Sequence, residues 1–516
     1  MSAGTITPYR SDLLAGPDGF AQLLHAEWTK FRTVRGWVIG VIIAALLIVG
    51  IALLNHSSCG SAVTPGGGSS PGCPVPPVGP GGEAVTDSFY FVHQPLAGNG
   101  SITVRVTSLT GQAGLQPWSK AGVIIKAGTR PGSAYAAMMV TAGHGVRMQY
   151  DYTGDIAGPA GAVSGVSPRW LRLTRSGDTI AGYESADGTH WSMVGAAHLT
   201  GLPATVQAGL FDASPSSTQS SSQSISASSG NAATSLATAV FDHVSLSGQR
   251  PGGAWAGDSI SAGAGHGALP GTGFHQAGVT FTVTGSGDIA PDVPAAGGGG
   301  FPVGQTLLGM FAALIAVIVV AAMFMTSEYR RGLIRVTFAA TPRRGRVLAA
   351  KAVVISSVTF IAGLAGAAAA VPLGERLLRS NGNYILPVST LTELRVVAGT
   401  AALLAVAAVL ALALGALLRS SAAAVTAVIL LIVLPYFFTI ALAVLPAGAA
   451  DWLLRITPAA AFAIQQSIPR YPQVSASYTP ANGYYPLPPW AGFAVLCGYA
   501  VLALGLAAIQ LQRRDA

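Results

Sequence analysis

Glu328-Tyr-Arg-Arg-Gly-Leu-Ile-Arg-Val-Thr-Phe-Ala-Ala-Thr-Pro-Arg-Arg-Gly-Arg-Val-Leu-Ala-Ala-Lys351 is the stretch whose reading decides the fold. It carries seven of the chain's 28 basic residues: Arg330, Arg331, Arg335, Arg343, Arg344, Arg346 and Lys351. An apolar run lies on either side, Thr306–Met325 before it and Ala352–Leu373 after it. A short basic segment between two membrane-length runs predicts a cytoplasmic loop, because Lys and Arg are retained on that side. Gly332 can end the helix leaving the bilayer, and Leu333, Ile334, Thr337 and Phe338 then repeat at helical spacing. Thr341-Pro342 opens a second helix, with Pro at a first-turn position where its missing N–H costs little. The pattern predicts a short amphipathic helix on the inner surface, with an apolar face for the membrane or a partner.

Composition agrees with a membrane setting. The 516 residues are 51% hydrophobic and only 9% charged, with a mean hydropathy of +0.53. That charged fraction is far below the roughly 25% of soluble proteins. The net charge of +8 divides unevenly. Segments expected inside hold 14 basic and 5 acidic residues, and the remainder hold 14 and 15. The basicity therefore marks membrane orientation, and nucleic acid is excluded as the partner it implies.

Residues 1–36 are expected to form a cytoplasmic tail and an interfacial amphipathic helix. Phe20, Leu23, Leu24, Trp28 and Phe31 fall on one face, with Gln22, Glu27, Lys30 and Arg32 elsewhere and Trp28 at headgroup depth. Residues 37–54 form the first span, too long for the core of a cleavable signal peptide. Residues 304–516 hold five more spans at 306–325, 352–373, 396–418, 422–445 and 490–509, with the basic loop at 326–351. Pro435 should kink the fifth. The aromatic-rich segment Pro446–Pro489 suits a headgroup belt around re-entrant half-helices.

Between the first two spans lie about 250 residues, opposite the basic loop and so expected outside. Residues 55–83 are a Gly/Pro/Ser-rich linker. Cys59 and Cys73 within it are a candidate disulfide, with two free thiols as the alternative. Across 84–248 the pattern turns to period two, with Gly and Asp turns at Ser176-Gly177-Asp178 and Asp187-Gly188. Many short strands predict a β-sandwich. Residues 249–303 are Gly-rich, with one strand candidate at Val279–Gly285 that either completes the sandwich or forms a stub near the membrane.

Two resemblances follow from quoted residues. Glu328-Tyr-Arg-x-Gly, Ile334-Arg335 and Thr341-Pro-Arg-Arg-x-Arg-x-Leu-x-Ala-Lys351 resemble the first cytoplasmic loop of ABC transporter permeases of the type-two exporter class. Leu24–Arg32 resembles the segment leading into the membrane in the same class. The resemblance implies a permease powered by a separate cytosolic ABC ATPase, with ATP entering only through that partner. It also implies a homodimer or a pair with a similar permease, set in membrane lipids. Its coupling residues would be Glu328, Arg330, Arg331, Gly332, Leu333, Ile334, Arg335, Phe338, Pro342, Arg343 and Arg344, with Glu27, Trp28, Lys30 and Arg32 on the interfacial helix. In the outside region, Trp170-x-Arg-Leu-x-Arg-x-Gly-Asp, Ser185-x-Asp-Gly-x-x-Trp191, Ala208-Gly-Leu-Phe and Val240-Phe-Asp-His-Val resemble concanavalin-like, laminin-G-type jelly rolls. Trp170 and Trp191 are then candidates for a ligand platform, or else hairpin-stabilising aromatics. The expected fold class is a mixed membrane protein: a polytopic six-helix transmembrane domain plus an extracellular all-β jelly-roll sandwich.

The chain is not expected to be an enzyme. No phosphate-binding G-x-x-x-x-G-K-[ST] loop occurs, and Leu246-Ser-Gly-Gln-Arg is too isolated to signal an ATPase. Leu269-Pro-Gly-Thr-Gly lacks the single C-terminal span that a cell-wall sorting signal needs. No metal spacing or catalytic carboxylate pair stands out. No carboxylate or His lies within the six apolar cores, which argues against ion coupling and for an external energy source. The rival reading is a membrane-anchored surface receptor or adhesin working through its β-sandwich by binding glycans. A third is a scaffold that uses the permease fold mechanically.

Overall fold

The computed structural model describes residues 19–54, 75–111, 114–216, 235–249, 254–261, 271–294, 300–330, 344–441, 447–476 and 478–513. Cys59 and Cys73 lie outside them, as do Arg331, Gly332, Leu333, Ile334, Arg335, Phe338, Pro342 and Arg343 and the side chain of Arg330.

The β domain is built on one strand. β2 (Phe89–Gly111) is 23 residues long and serves two layers. Its first half pairs with β12 (Ala256–Ile260) and β10 (Thr205–Ala213). From β10 the layer runs on through β3 (Lys120–Lys126), β4 (Tyr135–Thr141), β5 (Gly145–Tyr150) and β6 (Gly154–Ala157). Its second half pairs with β7 (Arg169–Ser176) and β11 (Ala237–Gln249). β8 (Thr179–Ser185) and β9 (Ser192–His198) extend the β7 side. β14 (Thr280–Gly285) and β13 (Gly273–Ala277) extend the β11 side. Thirteen antiparallel strands thus form one sheet folded on itself at β2.

The two layers pack through Val92, Val104, Val123, Met138, Met148, Leu171 and Leu173. The layers come close at Gly182, where an added Cβ would lie 2.6 Å from Met138 Sδ and displace that side chain. Of the two alternatives for the strand in residues 249–303, the structure shows the first: β14 pairs with β11 in the large sheet. The ends of this region meet where β1 (Val85–Asp87) pairs with β15 (Ile289–Pro291).

Among the described residues, six helices are long and apolar enough to cross a membrane. They are α2 (Arg35–Leu54), α3 (Met310–Arg330), α4 (Arg344–Ser380), α5 (Thr390–Leu418), the 421–439 helix and α9 (Pro489–Arg513). The fifth is α6 (Ser421–Val428) and α7 (Leu434–Ala441), joined by a π-helical turn at Ile429–Val433. That turn stands immediately before Pro435, whose missing N–H leaves a carbonyl one turn back without its usual helical donor. α4 runs 37 residues and takes in Arg344, Arg346 and Lys351, which the sequence reading assigned to the loop. Close packing falls where small residues predict it: Gly363 lies against Ala401 and Leu404, and Gly366 against Ala45 and Ile48. Between α7 and α9, α8 (Ala447–Ile456) and a buried 3-10 segment (Pro458–Gln465) pack against α9. The Tyr499 hydroxyl donates to the Ile456 carbonyl at 2.9 Å, ten residues into α9. That is roughly 15 Å along its axis.

The β domain is seated on the bundle. Phe301 bridges Ile385 in parallel, with Phe301 N–H donating to Tyr384 O and Leu386 N–H to Phe301 O. Ala84, Val293, Leu386, Ile468 and Tyr484 form a small apolar cluster at the joint. Gln473, 1% exposed, donates from Nε2 to the carbonyls of Tyr152 and Thr153 at 3.2 and 3.3 Å. Asp151 and Tyr152 hold φ of +42° and +62°, and that left-handed turn presents both carbonyls to Gln473.

Candidate functional site

At the end of the bundle away from the β domain, three helices meet: α1 (Phe20–Thr33), the last turn of α3 and the second turn of α4. α1 breaks from α2 at Val34, whose backbone is extended. Its inward face is Glu27 and Phe31, 2% exposed each, while Trp28 is 42% exposed. This corrects the expected orientation, which set Glu27 apart from the packing face. A helix lying only on lipid would turn its carboxylate to water. α1 also packs on α4, and there Glu27 finds a cation.

That cation is Lys351, 1% exposed. Its Nζ lies 2.6 Å from Glu27 Oε2 and 2.8 Å from Glu328 Oε1. Lys30 Nζ closes the group at 2.7 Å from Glu27 Oε1 and 3.1 Å from Glu328 Oε1. Two carboxylates and two ammonium groups form a neutral quartet from three separate helices. Aromatic rings wall it in: Phe324 meets Phe31 and Trp37 edge-on, and Lys351 Nζ stands 4.5 Å over the Phe324 ring. Burial by itself would lower the Lys30 pKa, but hydrogen bonding and attraction from Glu27, then from Glu328, outweigh it and raise it above the ordinary lysine value.

Such a group binds helices to one another. Each ion's desolvation cost is offset only while all partners are in place, so losing one strands a buried charge. Glu328 stands three residues before the 331–343 segment and Lys351 eight residues after it. The quartet therefore fixes both roots of that segment to α1. Arg344 donates from Nη1 to the Leu511 carbonyl at 2.9 Å, which ties the start of α4 to the end of α9. Lys351 is the residue of this group that sequence reasoning did not single out, although it closes the quoted motif. Its signal was position: a lysine just before an apolar run, at a spacing that lets it fold back on Glu328.

The profile of the family described as ABC-2 family transporter protein matches residues 190–516. The chain belongs to the ABC-2 transporter family. It is a membrane permease of an ABC transporter, and the match reaches from within the β domain through five of the six apolar helices. No curated protein matches this permease. Among solved structures, a functionally unknown protein from Saccharomyces cerevisiae aligns at 16% identity, covering 32% of this chain and 77% of its own, with a TM-score of 0.22. Scytalido-glutamic peptidase with a transition state analog inhibitor aligns at 9%, covering 40% and 99%, with a TM-score of 0.24. Likeness at that level carries no argument.

The remaining candidate residues of this ABC-2 permease take simpler places. Arg32 is exposed on α1. Trp170 and Trp191 stand on either side of the Gly188 turn. A Cβ on Gly188 would meet the Trp170 ring at 2.7 Å, and Trp191 Nε1 donates to the Gly188 carbonyl at 3.1 Å. Arg172 lies 3.7 Å over the Trp191 ring and Arg105 5.7 Å over that of Trp170. Both tryptophans brace their hairpin. Among the described residues no group of three or more His, Cys, Asp or Glu is placed to hold a metal.

Proposed function

We propose that this permease is the membrane subunit of an ABC exporter driven by a separate cytosolic ATPase, which alone binds ATP. Two copies, or this chain and a similar permease, would face each other in the membrane. The β domain would lie outside the cell and both termini inside, in line with the basic residues gathered at the other end of the bundle.

The observation that carries the reading is the buried quartet. A push on the 331–343 segment meets Glu328 on one side and Lys351 on the other, and the shared pairing with Glu27 and Lys30 moves α1, α3 and α4 together. In this reading Arg331 and Arg335 steer the segment onto the ATPase, and Leu333, Ile334 and Phe338 dock on it.

The test is affinity purification of the full-length protein from native membranes in mild detergent, with mass spectrometry of what accompanies it. A stoichiometric protein bearing phosphate-loop motifs is the expected outcome. Charge reversal at Arg331 and Arg335 should release it; unchanged stoichiometry in that variant would sink the docking assignment. Deleting residues 85–291, bracketed by the β1–β15 pair, should leave the ATPase bound. A receptor acting through its β domain would instead lose all activity.

A further inference from the structure

A groove of about 800 Å³ lies on the side of the bundle, walled by α1, α2 and α4. α1 contributes His25, Trp28 and Arg32 to it. Val38 and Val41 of α2 face Val354 and Val358 of α4 across it. Along α4 the wall runs from Val353 to Ala365, roughly 18 Å of helix. A hydrocarbon core is about 30 Å thick, so the groove has the depth of one leaflet. Its α1 end is at the membrane surface, where Trp28 is exposed at the level that suits an indole. Ile42, Val353 and Ile361 of its lining are exposed as well, so it opens sideways.

The charge at the α1 end is of one sign. Glu27, Lys30, Glu328 and Lys351 cancel one another within the quartet. That leaves Arg32, which lines the groove, and Arg35, which starts α2 just past the break at Val34. Both are exposed, and among the described residues neither is ion-paired. Among the described residues no carboxylate lines the groove. An apolar slot one leaflet deep, with an unpaired guanidinium at its surface end, matches a phospholipid of net negative charge. The acyl chain fills the slot, and the planar fork of Arg32 meets phosphate oxygens two at a time. A zwitterionic headgroup would bring its own ammonium up to Arg32 and Arg35.

We propose that this groove is a binding site for one anionic phospholipid of the leaflet on the α1 side, with its phosphate on Arg32. The lipid also bears on the quartet. Phe31 lines the groove and meets Phe324 edge-on, and Lys351 Nζ stands over that Phe324 ring. A filled groove therefore backs the aromatic wall of the quartet and holds α1 against α4. The inference needs only that the chain crosses a membrane, and it does not rest on the exporter reading or on the ATPase.

The full-length protein in mild detergent is mixed with phosphatidylglycerol and phosphatidylcholine of identical acyl chains and weighed by native mass spectrometry. One phosphatidylglycerol should stay bound at collision energies that strip phosphatidylcholine. Arg32→Glu, at an exposed position, should cut its retention by roughly tenfold or more, since each basic residue near the surface contributes to anionic-lipid binding. Ala365→Trp, also exposed, should close the far end of the groove and displace the lipid while leaving Arg32 in place. Equal retention of the two lipids, or phosphatidylglycerol retention unmoved by either substitution, overturns the proposal. So does a disulfide-linked dimer formed through Ile361→Cys in native membranes, because a second copy of the chain would then cover the groove.

Discussion

Lys351 and Lys126 are both buried, and both meet carboxylates at close range, yet they hold different things together. Lys126 sits in the β domain, 2.7 Å from Asp87 and 3.0 Å from the Tyr152 hydroxyl. Asp87 also accepts from Tyr152 at 2.7 Å and from Gly132 N–H at 2.8 Å. Burial lowers the Lys126 pKa, and the pull of Asp87 offsets it only in part. This pair ties β1, in the two-stranded β1–β15 sheet, to β3 of the large sheet, and each of those sheets is fixed by its own backbone ladder. Lys351 instead joins three helices that share no backbone hydrogen bonds. The Lys126 pair links two sheets that each hold their own backbone ladder, whereas the Lys351 group links helices whose only ties to one another are side chains.

The largest effect should come from Lys351→Met, which leaves Glu27 and Glu328 with Lys30 alone. A loss of about 3–5 kcal/mol is expected, read as a fall in thermal stability of the purified protein together with loss of the co-purifying ATPase. The triple change Glu27→Gln, Glu328→Gln, Lys351→Met should recover part of the stability, since it removes the stranded charges.

Asp87→Asn attacks the other lysine and should cost on the order of 3 kcal/mol. Faster hydrogen exchange in β3 and in the 131–135 turn would report it. ATPase co-purification should stay at the wild-type level. If it falls as it does for Lys351→Met, the two pairs are not separate and the contrast collapses.

A third prediction concerns pH in the β domain. Burial raises the folded-state pKa of Asp292 to about 6, above its unfolded value of 3.8. Between those values the folded state binds more protons than the unfolded one, so stability should fall as pH rises from about 4 to about 6, by on the order of 1–3 kcal/mol. Asp292→Asn should flatten that slope in thermal melts run across the window. A slope of the opposite sign, or one untouched by the substitution, would show that Asp292 is not the group.

The smallest effect belongs to Gln473→Ala. It leaves two carbonyls without their donor at a cost of about 1 kcal/mol, visible as faster exchange around residues 151–154 with no global change.

Much of the membrane half was legible. Runs of about 20 apolar residues can hide their backbone only as helices, so the spans read directly from composition. Lys351 did not, because a basic residue beside an apolar run looks like any positive-inside marker. Its burial depends on Glu27, more than 300 residues away. In the β domain, alternation was readable where one face meets water, as in β7. It also marked Ala121–Ile125 and Ala136–Val140 as strands, β3 and β4, but it did not show that every residue of both is buried. Both faces of that layer are covered, so Lys120 and Lys126 gave no pattern that marked them as interior. Lys120 there meets Asp288 and the Ile289 carbonyl, partners supplied by the far end of the insert.

The sequence by itself determined that this chain crosses a membrane, where a strand-rich insert interrupts it, and which loop gathers the positive charge. Each is a local property, set by transfer free energies that sum residue by residue along a short window. Packing in three dimensions is what makes Glu27, Lys30, Glu328 and Lys351 one joint, lets β2 serve two layers, and seats the β domain on the bundle through Phe301 and Gln473. Those depend on which surfaces meet. A buried charge is tolerable only beside its counterion, and which residues become neighbours is a property of the whole packed fold.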